Sequence, residues 1–135
     1  MEKNIEILVN EALEARKNAY VPYSNFKVGA AILTKDGKIF RGCNVENASY
    51  GLCNCAERTA LFKLYSEGYK KEDVVMMSVA GDTKNPISPC GACRQVMNEL
   101  LSKDTTIILT NANKDVKLTT VHELLPYSFD EVEND

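Results

Sequence analysis

The chain has 135 residues, 44% of them hydrophobic, with a formal net charge of -3 and a sequence pI near 5.3. That length holds one domain with a sizeable core and leaves no room for a second. The acidic balance excludes a polynucleotide footprint, since no basic run extends beyond pairs such as Lys70-Lys71, and no apolar run reaches the length of a membrane span. The start, Met1-Glu2-Lys3-Asn4-Ile5, lacks the basic-then-apolar order of a secretion signal. A cytoplasmic protein with small-molecule partners, and with neither nucleic acid nor membrane, is therefore expected. Five cysteines, an odd number, read in a reducing compartment as metal ligands or core fillers before disulfides.

Ile5, Leu8, Val9, Ala12, Leu13 and Ala15 recur at helical spacing, with Glu11, Glu14 and Arg16 opposite, and predict an amphipathic helix over about residues 3–18. Phe26 to Leu33 and Lys38 to Arg41 are β-rich runs joined by Thr34-Lys35-Asp36-Gly37. Asp-Gly supplies the positive φ of a tight hairpin, so these two strands should be antiparallel. After a polar stretch from Asn44 to Asn54, the segment from Cys55 to Glu67 predicts a second helix, stopped by Gly68 as a C-terminal cap. Val74 to Ala80 reads as a buried strand, Gly91 to Leu101 as a third helix and Thr106 to Thr110 as a fourth strand. Only Asn111-Ala112-Asn113-Lys114-Asp115 separates that strand from Val116-Lys117-Leu118-Thr119. A parallel crossover needs a dozen or more residues, so the fifth strand should return antiparallel. A short helix over Thr120 to Leu125 ends before Pro126. The acidic residues 130–135 are expected to form a mobile tail beyond a single domain of residues 1–129. Helices on both faces of a mixed five-stranded sheet give an α/β fold, a three-layer α/β/α sandwich.

The chemistry lies in Cys55-Ala56-Glu57 and Pro89-Cys90-Gly91-Ala92-Cys93. A Cys-x-x-Cys pair alone could be a redox couple or half of a structural zinc knuckle. Neither use needs a carboxylate two residues from a further cysteine. Three ligands, Cys55, Cys90 and Cys93, leave the fourth position of a zinc tetrahedron open, as in catalytic sites, and Glu57 is left over as a proton carrier. Cys-x-Glu with Pro-Cys-x-x-Cys is the general zinc-deaminase pattern in its all-cysteine form. Cys55 opens the second helix, Cys90 precedes the third and Cys93 lies in its first turn, so both helix N-termini can favour thiolate. Thiolates on Zn²⁺ leave an excess of negative charge. Arg58, on the same turn as Glu57, is the candidate to withdraw it by hydrogen-bonding a ligand sulfur. Its plain alternative is a solvated surface residue.

The runs Pro22 to Ala31, Gly42 to Tyr50, Cys55-Ala56-Glu57-Arg58-Thr59-Ala60 and Pro89-Cys90-Gly91-Ala92-Cys93-Arg94-Gln95 resemble cytidine deaminases of the short, homotetrameric, zinc-dependent type. The similarity runs from the first helix to Phe129. It implies a cytidine deaminase-like fold, one Zn²⁺ per subunit, and hydrolytic deamination of cytidine and deoxycytidine to uridine and deoxyuridine, releasing ammonia in pyrimidine salvage. In that reaction the carboxylate matching Glu57 moves a proton from water to N3 and then one to the departing amine, as general base and then general acid. By matching position, Asn44 and Glu46 resemble ribose readers, Phe26 the aromatic against the pyrimidine, and Ala56 a backbone contact to the base. Tyr50 and Phe129 match residues contributed across subunit contacts, so the implied homotetramer has its sites at subunit interfaces. Without the resemblance, Asn44 and Glu46 are turn residues, Phe26 a core residue, and Tyr50 and Phe129 loop packing and tail anchoring.

Cys53 could compete as a ligand, but the family register puts Ala-Glu directly after the ligand and selects Cys55. Cys43 reads as a small buried apolar residue at a strand end. His122 falls outside every motif, and no catalytic role is expected of it. The rival readings are a deaminase of another small aminopyrimidine compound, such as one resembling blasticidin-S deaminase, and, from a different class, a non-catalytic zinc scaffold. The run from Asn44 to Tyr50 favours a nucleoside, and Glu46 near the sugar would repel a phosphate. Polynucleotide deaminases place a helix where this chain has only Asn111 to Asp115.

Overall fold

Amphipathic sequence with no glycine or proline before Pro22 makes the first element helical, and the rest of the chain wraps a sheet around its apolar stripe. The computed structural model describes residues 1–130. Helix α1, Glu2–Ala15, tightens into a 3₁₀ turn at Arg16–Asn18. The predicted helix to residue 18 thus ends in the narrower winding that often closes a helix. Strands β1, Val28–Thr34, and β2, Ile39–Cys43, form the hairpin, with Gly37 at φ 87° in the turn. The strand predicted from Phe26 starts at Val28. Asn44 donates to Phe26 O at 2.8 Å and accepts from Val28 N at 2.9 Å, occupying backbone groups that a longer ladder would use. Helix α2, Ala56–Ser66, follows, then β3, Val74–Gly81, α3, Gly91–Leu100, β4, Thr106–Asn111, β5, Val116–Thr120, and α4, Val121–Leu124.

The five strands are ordered β2-β1-β3-β4-β5. β1 is antiparallel to both β2 and β3, β3 and β4 are parallel, and β5 returns antiparallel to β4, as its four-residue link requires. Alternation along the strands divides the core. Ala30, Ile32, Met77, Val79, Ile107 and Leu109 pack under α2, α3 and α4 with Ala60, Leu61, Leu64, Met97 and Val121. Ala31, Met76, Ala80 and Ile108 face Leu8, Val9 and Ala12 of α1. The sandwich has helices on both sides, three on one face and one on the other. Asp130, expected as the first residue of the acidic tail, accepts from Asn98 Nδ2 at 2.9 Å and pairs with Lys103, whereas residues 131–135 lie outside the described residues.

The topology gathers the chemistry at one edge. Register pairs Val28 with Gly81 and Gly29 with Cys43, so the start of β1 and the ends of β2 and β3 emerge side by side. Helices α2 and α3 begin there. Gly42 sets how close α2 comes: a Cβ at this position would stand 2.5 Å from Ala60 N and 2.6 Å from Ala56 O. Only a bare backbone lets the first turns of α2 lie on β2. Gly42→Ala should cost about 1–3 kcal/mol as the overpacked helix is pushed off the sheet, read as a fall of several degrees in Tm; an unchanged melt would show that α2 can yield at no cost.

Candidate metal centre

Cys55 and Cys90 occupy equivalent places, each the N-cap residue of its helix with extended backbone at φ -75°, ψ 156° and φ -69°, ψ 162°. Neither side chain caps its own helix. Both thiols turn instead toward Cys93, in the first turn of α3. The Cys55 and Cys90 sulfurs are 3.9 Å apart and the Cys90 and Cys93 sulfurs 3.3 Å, and all three ligand atoms lie within 4.8 Å of one another. Zinc–sulfur bonds of about 2.3 Å at tetrahedral angles put sulfurs about 3.8 Å apart, so this triangle fits the ion. Zinc is the cofactor of the centre.

Arg58 Nη2 donates to Cys55 Sγ at 3.3 Å, and its guanidinium is held well above its ordinary value chiefly by that contact. Arg58 is half-buried against the cluster by this contact. The Cys93 thiol first, and Arg58 after it, draw the Cys55 thiol down to about 5. Cys93 moves the opposite way, upward, because it gives its hydrogen to Cys55 and is buried. Of the three thiols, Cys55 is the one whose surroundings most favour the thiolate. Glu57, next but one along, is only 4% exposed, and burial pushes its carboxyl up to about 7.

A pocket of about 210 Å³ opens at this edge. Cys55, Glu57 and Cys90 line it together with Phe26, Asn44 and Ala56, half of the residues expected to meet a substrate. Glu46, Tyr50 and Phe129 stand outside it. Glu46 accepts from Tyr23 N and Ser24 N, each at 3.1 Å, and from the Ser24 hydroxyl. Tyr50, in a 3₁₀ turn over Tyr50–Leu52, is 90% exposed, and Phe129 is 65% exposed. The sequence reading missed Val28, Ile87 and Ser88 as pocket walls. Their only signal was adjacency, Val28 to Phe26 and the other two to Pro89. Cys53 bonds the Asn47 backbone and takes no part in the sulfur cluster. Cys43 is half-buried and His122 exposed.

The fold and the site define a class, a three-layer sandwich with a three-cysteine zinc centre beside a buried carboxylate. Residues 2–110 match the model of the cytidine and deoxycytidylate deaminase zinc-binding region. A cytidine deaminase of Halalkalibacterium halodurans is 60% identical over 92% of both chains, and one of Mycobacterium tuberculosis 38% identical over 91% of this chain and 87% of that one. The crystal structure of cytidine deaminase from Burkholderia pseudomallei superposes with a TM-score of 0.90 at 56% identity, covering 92% of this chain and 98% of that one. The chain belongs to the cytidine and deoxycytidylate deaminase family. Among the described residues no helix is long and apolar enough to cross a membrane.

Cys55→Ser, Cys90→Ser and Cys93→Ser should each lose bound zinc, while Cys43→Ser and Cys53→Ser keep one ion per chain. Elemental analysis of the purified variants checks this, and zinc lost with Cys53 would redraw the ligand set.

Proposed function

We propose that the protein deaminates cytidine and deoxycytidine hydrolytically, giving uridine or deoxyuridine and ammonia. The observation that carries this reading is Glu57: a carboxylate 4% exposed, not needed as a ligand, beside the sulfur cluster in a pocket of nucleobase size. Held by Cys55, Cys90 and Cys93, zinc would lower the pKa of a water and so supply a nucleophile near neutral pH. Glu57 is placed to carry one proton from the attacking water to N3 and the second to the amine, which would leave as ammonia while the water oxygen stays on C4. One group serves both transfers because a buried carboxyl, whose charged form is disfavoured by desolvation, can accept a proton and give it back. Arg58 draws charge from Cys55 and so favours a more acidic water. Phe26 offers an aromatic face to the base, and the Ala56 backbone a polar contact at its edge.

Asn44 and Glu46 have bonding capacity left for a sugar. An amide offers two donors and two acceptor sites, of which Asn44 spends one each on Phe26 O and Val28 N. A carboxylate has about four acceptor sites, and Glu46 spends three on Tyr23 and Ser24. The same carboxylate disfavours a phosphorylated sugar. In this reading the active form is a cytoplasmic homotetramer, in which the exposed Tyr50 and Phe129 complete sites of neighbouring subunits.

Purified zinc-loaded protein should bleach the cytidine absorbance band and release ammonia one for one. Glu57→Gln should retain zinc and lose about 10²–10⁴-fold in kcat; wild-type turnover in that variant would remove Glu57 from the mechanism. Sedimentation should give the mass of four chains, and a stable, fully active monomer would dispose of the shared sites.

A further inference from the structure

The eight residues that lead from β3 to Cys90 are fixed to the sheet only as far as Ile87, whose N–H reaches Thr110 O at 3.2 Å. Pro89 has no N–H to offer, so backbone donors cannot pin the last step before the ligand. Arg94 pins it instead. Its Nε donates to Pro89 O at 2.8 Å, its Nη2 to Ser88 Oγ at 2.7 Å, and its Nη1 to Leu124 O at the end of α4 at 3.0 Å. One rigid plane thus serves three divergent acceptors, a task that the single ammonium of lysine on its flexible stem does not reproduce.

We propose that Arg94 is a positioning residue of the metal centre, acting through Cys90. The oxygen of Pro89 and the nitrogen of Cys90 share one planar peptide, so holding Pro89 O fixes the orientation in which the chain enters Cys90. That orientation sets where Cys90 Sγ stands relative to Cys55 and Cys93. The bond to Leu124 O supplies the reference point, because α4 is seated in the core through Val121 and Leu124. Arg94 also follows Cys93 directly, so the guanidinium that holds one ligand's loop is carried by the neighbour of the next ligand. Outer partners of this kind tune metal affinity by keeping ligands in place before the ion arrives.

The inference rests on the three-cysteine zinc reading, and the test separates the two. Zinc-loaded wild type, Arg94→Ala, Arg94→Lys and Lys103→Ala are competed with a chromogenic chelator. The same proteins, stripped and refilled with Co²⁺, are read by thiolate-to-cobalt charge-transfer absorption. Arg94→Ala should weaken zinc binding about 10–100-fold and alter the cobalt spectrum, with Arg94→Lys recovering only part of the loss. Lys103→Ala removes the ion pair to Asp130 without touching the Cys90 loop, and should match wild type on both readouts. Wild-type zinc affinity and cobalt spectrum in Arg94→Ala would overturn the inference, as would an equal loss in Lys103→Ala. Should Arg94→Ala fail to fold, Arg94→Lys decides on the same two readouts. A wild-type chain that takes up no cobalt would overturn the ligand reading and the inference with it.

Discussion

Three sulfurs from residues 55, 90 and 93 must meet within the reach of one ion, and most of the architecture follows from that requirement. Two of them sit on N-caps, so two helices must start at the same edge of the sheet and on the same face. Parallel pairing of β3 and β4 with α3 between them provides one such start, and the hairpin β1-β2 followed by α2 provides the other. Close approach then becomes a constraint on side chains. Gly42 and the fully buried Ala56 and Ala60 are small where α2 crosses β2, and larger residues there would move Cys55 away from α3.

The wall opposite the sulfurs is organised by polar side chains. The segment from Tyr23 to Val28 has few ladder bonds of its own, and Asn25 adopts a left-handed backbone at φ 58°. Asn44 and Glu46 supply what is missing by bonding to both ends of the segment. Ser24 joins the two halves, accepting from Phe26 N at 3.0 Å while donating to Glu46. Residues first read as sugar contacts therefore also build the support on which Phe26 stands. The same groups can serve both ends because amides and carboxylates have more bonding sites than the loop consumes.

The fold was legible in the sequence because its connections are short and well punctuated. Asp36-Gly37 marked the hairpin, Gly68 the end of α2, and the brevity of Asn111 to Asp115 determined the direction of β5. Element ends were less legible, since they depend on distant side chains: Phe26 looks like strand until Asn44 takes its carbonyl. The metal ligands stood out as motif, whereas Val28, Ile87 and Ser88 carry no functional chemistry of their own and enter the pocket only through tertiary placement. Arg94 had the opposite difficulty. Its charge is plain in the sequence, but three acceptors scattered over residues 88, 89 and 124 become one site only when α3 and α4 are packed together.

The electrostatics of the centre explain why a buried carboxylate is tolerable there. Glu57 shares its corner with Cys55, and burial first, then negative charge on that sulfur, disfavour its charged form. Arg58 opposes this but lies against Cys55, where most of its effect is spent. A divalent ion held by the sulfurs would add a nearby positive charge that favours the ionised carboxyl, although with three thiolates the cluster as a whole stays negative. A carboxyl on an open surface would stay ionised in either state, and would accept a proton from water too weakly to return it to a departing amine; burial at 4% exposure is what keeps Glu57 between those limits.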